Sequence, residues 1–173
     1  MERKRRIKRA GWRRHDYRRC AAMTSEDTLA VMVAGPTADH SVVPFHAQVQ
    51  VFDPGVEDAI PEWTDESLEQ GVAAGPSGLA ILTRGDFERG AEDLSRVRVR
   101  VWVGRSDPRP SSPLVYDGEL QVGGDGVVIG SVVGNDLHAV AVPMGVHRVR
   151  VYAEPKGAPE VVDVVLEALR PSG

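Results

Sequence analysis

The sequence predicts a mainly all-β fold, an antiparallel β-sandwich of about eight strands with one short helix. From Val42 onward, apolar and polar residues alternate with a period of two more often than with the helical period of about 3.6. Gly, Pro, Asn and Asp also interrupt the apolar runs at the short spacing that is typical of an all-β domain. The predicted strands, in chain order, are 43–52, 78–83, 96–103, 114–122, 126–133, 137–142, 146–153 and 160–168.

The first two strands, VPFHAQVQVF and GLAILT, flank the predicted helix. Thr64 is a favourable N-cap, and the two acidic residues after it suit the positive end of the helix dipole. Gly71 lies near the end of this helix, which spans about two turns. Because so short a helix is marginal in isolation, we expect Leu68 and Val72, which share a face, to pack against the sheets.

The third strand, RVRVRVWV, and the seventh, VHRVRVYA, alternate valine with arginine, so each has one core face and one outer face. Between LVYDGELQV and GVVIGSVV, the sequence Gly123-Gly124-Asp125-Gly126 tolerates the positive φ angles of a tight turn and predicts a hairpin. Asn135-Asp136 and Pro143-Met144-Gly145 predict turns on either side of LHAVAV. The apolar run EVVDVVLEA closes the series.

The chain of 173 residues fits one folded domain, residues 41–169, preceded by a basic N-terminal tail, residues 1–40. The formal net charge of -4 conceals a split, because residues 1–20 carry +8 and the remainder carries -12. We expect disorder at least to residue 20, since blocks of like charge usually stay unfolded. Alternatively the tail binds nucleic acid through its cations and stacking aromatics, or translation begins after it, at Met23 or Met32.

The single cysteine, Cys20, excludes an intramolecular disulfide and a cysteine-based zinc site, which favours a reducing compartment. The basic residues are not followed by the apolar stretch of a secretory signal. The short run Leu29 to Ala34 is far below the roughly 20 apolar residues that a membrane-spanning helix needs. We therefore expect a cytoplasmic protein with no membrane insertion.

Acidic residues dominate the first half of the predicted domain. No Lys or Arg occurs from Ala21 to Thr83. An uncompensated acidic loop and helix create a negative potential that accelerates encounter with a basic protein and repels nucleic acid; alternatively, these charges only keep the protein soluble. The candidate partner-binding residues are Asp53, Glu57, Asp58, Glu62, Asp65, Glu66 and Glu69.

The arginines follow in two groups, each on one face of a strand and each beside an aromatic residue. If these strands are neighbours, they form a basic surface that could bind phosphates or stack bases. The other interpretation is that the arginines pair with carboxylates on adjacent strands. The two groups are Arg96, Arg98 and Arg100 with Trp102, and Arg148 and Arg150 with Tyr152.

Signatures of an enzyme are missing. The five histidines show neither HExxH nor His-x-His spacing, and the chain has no GxSxG elbow and no phosphate-binding GxxxxGK[ST] loop. We therefore predict a protein that is not an enzyme, with no catalytic residue, metal or cofactor. A small β-rich hydrolase stays open as an alternative and requires a cleft that joins His46 or His138 to carboxylates.

The block PEWTDESLEQGVAA, residues 61–74, resembles the competence protein J (ComJ) family. The resemblance extends over roughly residues 43–168, and its most distinctive residues are Trp63, Thr64, Asp65 and Gly71. It includes the strand that ends in VQVF, the apolar strand 78–83, the turn VPMG and the closing strand VVDVV. The arginine-rich tail, the inserts 84–95 and 104–113 and the preference for Arg over Lys depart from the family pattern.

The resemblance implies an inhibitor of a DNA-entry nuclease, a bacterial antidote or immunity-type protein with a nuclease as its protein partner. It also implies inhibition by occlusion, in which an acidic surface imitates phosphate charge and fills the basic cleft of the nuclease. Trp63 is then either a core anchor for the helix or an interface residue, and its neighbours favour the core. The alternative function is a β-sandwich module that binds nucleic acid or a phosphorylated ligand through the arginine faces and the tail.

Overall fold

The computed structural model describes residues 35–83, 96–104, 110, 112–132, 136–154 and 159–169. These residues contain ten strands and one short helix, which confirms the mainly β fold class. The elements are β1 (Ala38–Val42), β2 (Gln48–Phe52), α1 (Asp65–Gln70), β3 (Val72–Gly75), β4 (Gly78–Leu82), β5 (Val97–Val103), β6 (Leu114–Val122), β7 (Gly126–Ser131), β8 (Asp136–Ala141), β9 (Gly145–Tyr152) and β10 (Val161–Ala168).

The strands form two five-stranded sheets. The first sheet has the order β1-β5-β10-β9-β6, and the second has the order β3-β4-β2-β7-β8. All neighbours are antiparallel except β5 and β10, which are parallel. The edge strands of the two sheets contact each other, β1 with β8 at one margin of the sandwich and β3 with β6 at the other. The predicted sandwich is therefore confirmed, with one parallel pair in the first sheet.

Valine fills the space between the sheets. Val97, Val99 and Val101 of β5 have no exposed surface, and neither do Val149 and Val151 of β9. The arginines that alternate with them lie on the opposite face of the first sheet. The two-faced pattern predicted from the sequence is therefore confirmed. Burying each valine side chain stabilises the fold by roughly 1.5–3 kcal/mol relative to exposure.

The predicted hairpin at residues 123–126 is wrong. The strands it joins, β6 and β7, belong to different sheets. The glycine-rich segment therefore crosses from one sheet to the other instead of pairing its flanking strands. A local turn signal reports that the chain reverses but not whether the next strand returns to the same sheet.

The first strands of the domain also differ from the prediction. The candidate 43–52 becomes a strand only at Gln48, because His46 and Ala47 have φ angles of 54° and 58° and form a turn. The first strand begins at Ala38, inside the stretch assigned to the tail. Residues 1–34, and with them most of that predicted tail, lie outside the described residues. The division at residue 41 stays a prediction.

Helix α1 has the ends that the sequence predicts. The Thr64 side chain accepts a hydrogen bond from the backbone N–H of Ser67, at 3.1 Å, and the Ser67 hydroxyl accepts one from the backbone N–H of Thr64, at 2.8 Å. This reciprocal capping box satisfies donors that a helix N-terminus otherwise leaves free. Gly71 ends the helix with a φ of 82°, which glycine adopts without strain.

The expected packing of the helix face is wrong for Leu68. This side chain is 49% exposed, and no residue of α1 is buried. Val72, which is 2% exposed, belongs to β3 and enters the core as a strand residue. Local capping and the connection to β3, and not an apolar helix face, therefore hold α1 in place.

In the part of the chain that the structure describes, no helix is long and apolar enough to cross a bilayer.

Candidate partner-binding site

Six of the seven predicted acidic residues are exposed, and they follow one another along the chain from the end of β2 to the end of α1. We call this stretch the acidic segment. Its members are Glu57, Asp58, Glu62, Asp65, Glu66 and Glu69.

Asp53 differs from the other six, because it is 1% exposed. Its carboxylate accepts hydrogen bonds from the backbone N–H groups of Gly55, at 2.7 Å, and Gly123, at 2.5 Å. Asp53 thus fixes the segment that crosses from β6 to β7. This burial argues against its sequence-based assignment as a partner contact, and we assign it a structural role.

Backbone conformation and one tryptophan position the acidic segment. Asp58 has a φ of 57°, in the left-handed region that Asp adopts more readily than most residues. Ala59 is buried, and its carbonyl lies so close to Gly78 that a Cβ there would collide with it. The Trp63 indole N–H donates a hydrogen bond to the Gln48 side chain at 2.7 Å, which ties the residues before α1 to β2.

Trp63 is half-buried, so it does not sit fully in the core as its neighbours suggested. The other distinctive motif residues have clear local roles, since Thr64 caps α1 and Gly71 ends it. No sequence pattern indicated Gln48 or Gln70, and the side-chain amide of Gln70 donates to the Val115 carbonyl of β6 at 3.3 Å. These glutamines contact residues far away in sequence, which a local pattern cannot reveal.

The acidic segment contains carboxylates but no basic side chain. No Lys or Arg occurs from residue 35 to residue 83. Among the described residues, no cation forms a salt bridge with any of the six carboxylates. Asp65 and Glu69 are four residues apart on α1, so their like charges lie on one side of the helix. The six exposed carboxylates therefore make this segment negatively charged.

The arginines have a different environment. Strands β5 and β9 are not neighbours, because β10 lies between them. Each of the five arginines in the described ranges lies within 4 Å of a carboxylate. The closest pairs are Arg98–Asp39 at 2.6 Å, Arg100–Asp163 at 2.5 Å, Arg148–Asp117 at 2.6 Å and Arg150–Glu167 at 2.8 Å, and the longest is Arg96–Asp136 at 3.7 Å.

These pairs neutralise the outer face of the first sheet. The hydrogen bond from Arg98 lowers the pKa of Asp39 below its ordinary value, and the hydrogen bond from Arg148 lowers that of Asp117. Both carboxylates are therefore ionised at neutral pH and offset their arginines. The geometry agrees with cross-strand pairing, the second of the two interpretations of the arginine faces.

The histidines considered for a hydrolase lie apart. His46 is exposed in the turn before β2, whereas His138 lies on β8 with its Nε2 at 3.0 Å from a carboxylate oxygen of Asp136. A surface depression of about 410 Å³ lies elsewhere, between residues 124–125 and 141–144, and one carboxylate, Asp125, lines it. No cluster of His, Cys, Asp or Glu suited to a metal ion occurs among the residues that the structure describes.

Two solved structures are similar to the fold of this chain. The structure of ComJ from Bacillus subtilis, an inhibitor of the DNA-degrading activity of NucA, matches with a TM-score of 0.59 and 15% sequence identity, over 76% of this chain and 96% of that chain. A structure described as crocagin biosynthetic gene J matches with a TM-score of 0.48 and 12% identity, over 77% of this chain and 99% of that chain. No curated protein matches in sequence.

A sequence model of a protein family assigns this chain to that family. The model of competence protein J (ComJ) matches residues 41–169, which include the strands β2 to β10, the helix, the acidic segment and the last two residues of β1. This range agrees with the extent of the resemblance in the sequence, residues 43–168. The chain belongs to the competence protein J (ComJ) family.

Proposed function

We propose that this protein binds a DNA-degrading nuclease and inhibits it, without turning over a substrate of its own. The observation that carries the proposal is the family match over residues 41–169. The Bacillus subtilis protein with a similar fold is described as an inhibitor of the DNA-degrading activity of NucA. A DNA-degrading nuclease is therefore the best-supported class of partner for this chain.

The proposed mechanism is occlusion of the DNA-binding cleft by the acidic segment. A nuclease binds the phosphate backbone through cationic side chains, so its cleft attracts a surface of clustered carboxylates. The exposure of the six carboxylates and the absence of Lys and Arg between residues 35 and 83 support this mechanism. Charges of this kind mainly accelerate association, and salt screens them.

The first experiment is a titration of the full chain into a DNA cleavage assay at low and at moderate salt. Suitable enzymes are NucA and any nuclease encoded beside the gene. We expect stoichiometric inhibition that weakens as salt rises. The double variant Glu57→Lys with Glu66→Lys should inhibit at least about tenfold less well, because it reverses two exposed charges of the acidic segment.

The matched control is Asp125→Lys with Glu154→Lys. It makes the same change in net charge at two exposed residues outside the acidic segment, so it should inhibit as the unmodified chain does. Equal loss in both double variants would refute a specific acidic contact and indicate an effect of net charge. DNA binding by the chain without inhibition of either nuclease would contradict the proposed function itself.

A further inference from the structure

The strands β1 and β8 meet at one margin of the sandwich, and we call this margin the β1–β8 seam. Alternation along β1 directs His40 and Val42 toward the other sheet, and alternation along β8 does the same for His138 and Val140. Val42 is 0% and Val140 is 4% exposed, so both belong to the core. The two histidines occupy the adjacent inward position on each strand and are partly buried.

The imidazole rings of His40 and His138 stack on each other across the seam. Their centroids are 4.3 Å apart and their planes differ by 11°. Parallel rings at this separation are in direct contact, so each ring covers one face of the other. The seam is thus closed by two titratable rings.

One carboxylate from β8 ties the pair to β1. Asp136 lies 3.0 Å from His138 Nε2 through one oxygen and accepts a hydrogen bond from the Val43 backbone N–H, at 2.9 Å, through the other. Arg96 lies 3.7 Å from the same carboxylate and donates to the Ser41 carbonyl at 2.7 Å. A backbone N–H and a guanidinium from beside the first sheet, and the His138 ring of the second sheet, therefore converge on Asp136.

The charged groups around His40 come from three elements. Asp39 is its neighbour on β1, and Asp136 faces it from β8. On the adjacent strand β5, Arg98 forms a pair with Asp39, and Arg100 lies near that carboxylate. Arg98 and Arg100 thus offset Asp39, and the charge of His138 acts on His40 from across the seam.

We propose that the His40–His138 stack is a pH-sensitive latch between the two sheets, closed when the rings are neutral and loosened when they are protonated. Two stacked imidazolium rings repel each other at contact distance. Their separation would release the hydrogen bond that Asp136 makes across the seam. The proposal does not depend on the proposed nuclease, because the acidic segment is attached to β3, at the opposite edge of the second sheet.

The direction of the pH effect follows from His40. Burial, followed by the charge of His138, lowers its pKa from the ordinary value of 6.5. A group whose pKa is lowered by folding stabilises the folded state fully above its unfolded pKa, and this contribution is lost as pH falls through the folded value. The seam should therefore be tightest above about pH 6.5 and should weaken on moderate acidification.

The test is native-state hydrogen exchange of the full chain at pH 7.5 and pH 5.5, corrected for intrinsic exchange rates. We expect protection of the β1 and β8 amides to fall severalfold at the lower pH, with β4 and β9 unchanged. His40→Phe keeps a stacking ring but cannot be protonated, so it should retain protection at both values. His46→Asn is the control, because it removes an exposed histidine at a positive φ that Asn tolerates.

The proposal is overturned if His40→Phe loses seam protection as the unmodified chain does, or if His46→Asn alone abolishes the response. Should His40→Phe fail to fold, an NMR titration of the unmodified chain decides the question. Amide signals of β1 and β8 must then move with the same midpoint as the His40 ring signals. Movement with no common midpoint would refute the latch.

Discussion

At the scale of single residues, Asp53 shows how the environment separates side chains of the same type. It lies four residues before Glu57 in the acidic stretch, yet its carboxylate is enclosed and binds two backbone N–H groups. A carboxylate that accepts such hydrogen bonds acts as a fixed support for the loop that donates them. Composition alone places Asp53 among the contact residues, because the burial of one side chain cannot be inferred from a sequence rich in acidic residues.

Replacing Asp53 with Asn should lower the free energy of unfolding by about 1–3 kcal/mol, because the amide offers one acceptor where two donors need partners. Urea unfolding measures this change. Asp58→Asn is the matched control, since Asp58 is exposed and has a positive φ that Asn also adopts. Asp58→Asn should leave stability within about 0.5 kcal/mol of the unmodified value. Equal effects of the two changes would contradict a structural role for Asp53.

The arginines show what an alternating pattern can and cannot predict. The alternation in β5 correctly places Arg98 and Arg100 outward and the valines inward. It cannot name the partners, because Arg100 pairs with Asp163, 63 residues later in the chain. Long-range strand pairing decides which carboxylate faces each guanidinium. The choice between a phosphate-binding face and a neutralised one therefore needed the structure.

At the scale of elements, helix α1 combines predictable ends with an unpredictable environment. Thr64 and Gly71 act within a few residues of themselves, so capping is readable from the sequence. The exposure of Leu68 depends on where β3 and β6 lie, and helical periodicity alone suggested burial. A helix that buries nothing and carries three acidic residues is poorly explained by stability alone. Its composition fits the proposed contact with a nuclease.

Glu69→Gln should therefore change stability and binding in opposite directions. Glu69 lies in the last turn of α1, near the negative end of the helix dipole, and has Asp65 four residues before it. Removing its charge should raise the free energy of unfolding by about 0.3 kcal/mol. The same change should weaken inhibition of the nuclease a few-fold at low salt and less at high salt, as inhibition titrations can measure.

Glu154→Gln serves as the control for this prediction. Glu154 is exposed after β9, outside the acidic segment, and its neutralisation gives the same change in net charge. It should leave inhibition unchanged at both salt concentrations. If Glu69→Gln lowers stability, the carboxylate of Glu69 makes a structural contact. If Glu69→Gln strengthens inhibition, the functional interpretation of α1 fails.

Two strands were not predicted, and both are short edge strands. β3 has the sequence VAAG, and β1 has the sequence ADHSV. Alanine and glycine carry little strand propensity, and β1 shows only one strongly apolar residue, so neither gives a clear alternating signal. Each is held by its neighbour, β3 by β4 and β1 by β5. Central strands that bury both faces gave the strongest signals.

At the scale of the whole molecule, the last strand occupies the middle of the first sheet. β10 pairs with β9 on one side and lies parallel to β5 on the other. The sequence identified β10 as an apolar strand but gave no information on its neighbours. Strand order depends on which sheets the turns connect, and the segment at 123–126 was misinterpreted for that reason. Fold class was predictable here, whereas topology was not.

The Arg100–Asp163 pair joins β5 to β10 on the outer face of the first sheet. Asp163 has no exposed side-chain surface, and Arg100, whose side chain is 25% exposed, donates two hydrogen bonds to it. Asp163→Leu should lower the free energy of unfolding by about 3 kcal/mol, because it leaves a largely enclosed cation without its counterion. Urea unfolding of the full chain measures the loss.

The double variant Asp163→Leu with Arg100→Met should recover most of that stability, since an apolar pair of similar size removes the uncompensated charge. A double-mutant cycle separates this coupling from the separate effects of the two substitutions. The more exposed pair Arg98–Asp39 is the reference, and Asp39→Leu should shift the urea midpoint much less. If Asp163→Leu is as mild as Asp39→Leu, or if the double variant adds the losses of both single variants, the parallel pairing of β5 and β10 rests on backbone and valine packing. In that case the outer arginines would be free to take an interaction role that their ion pairs now argue against.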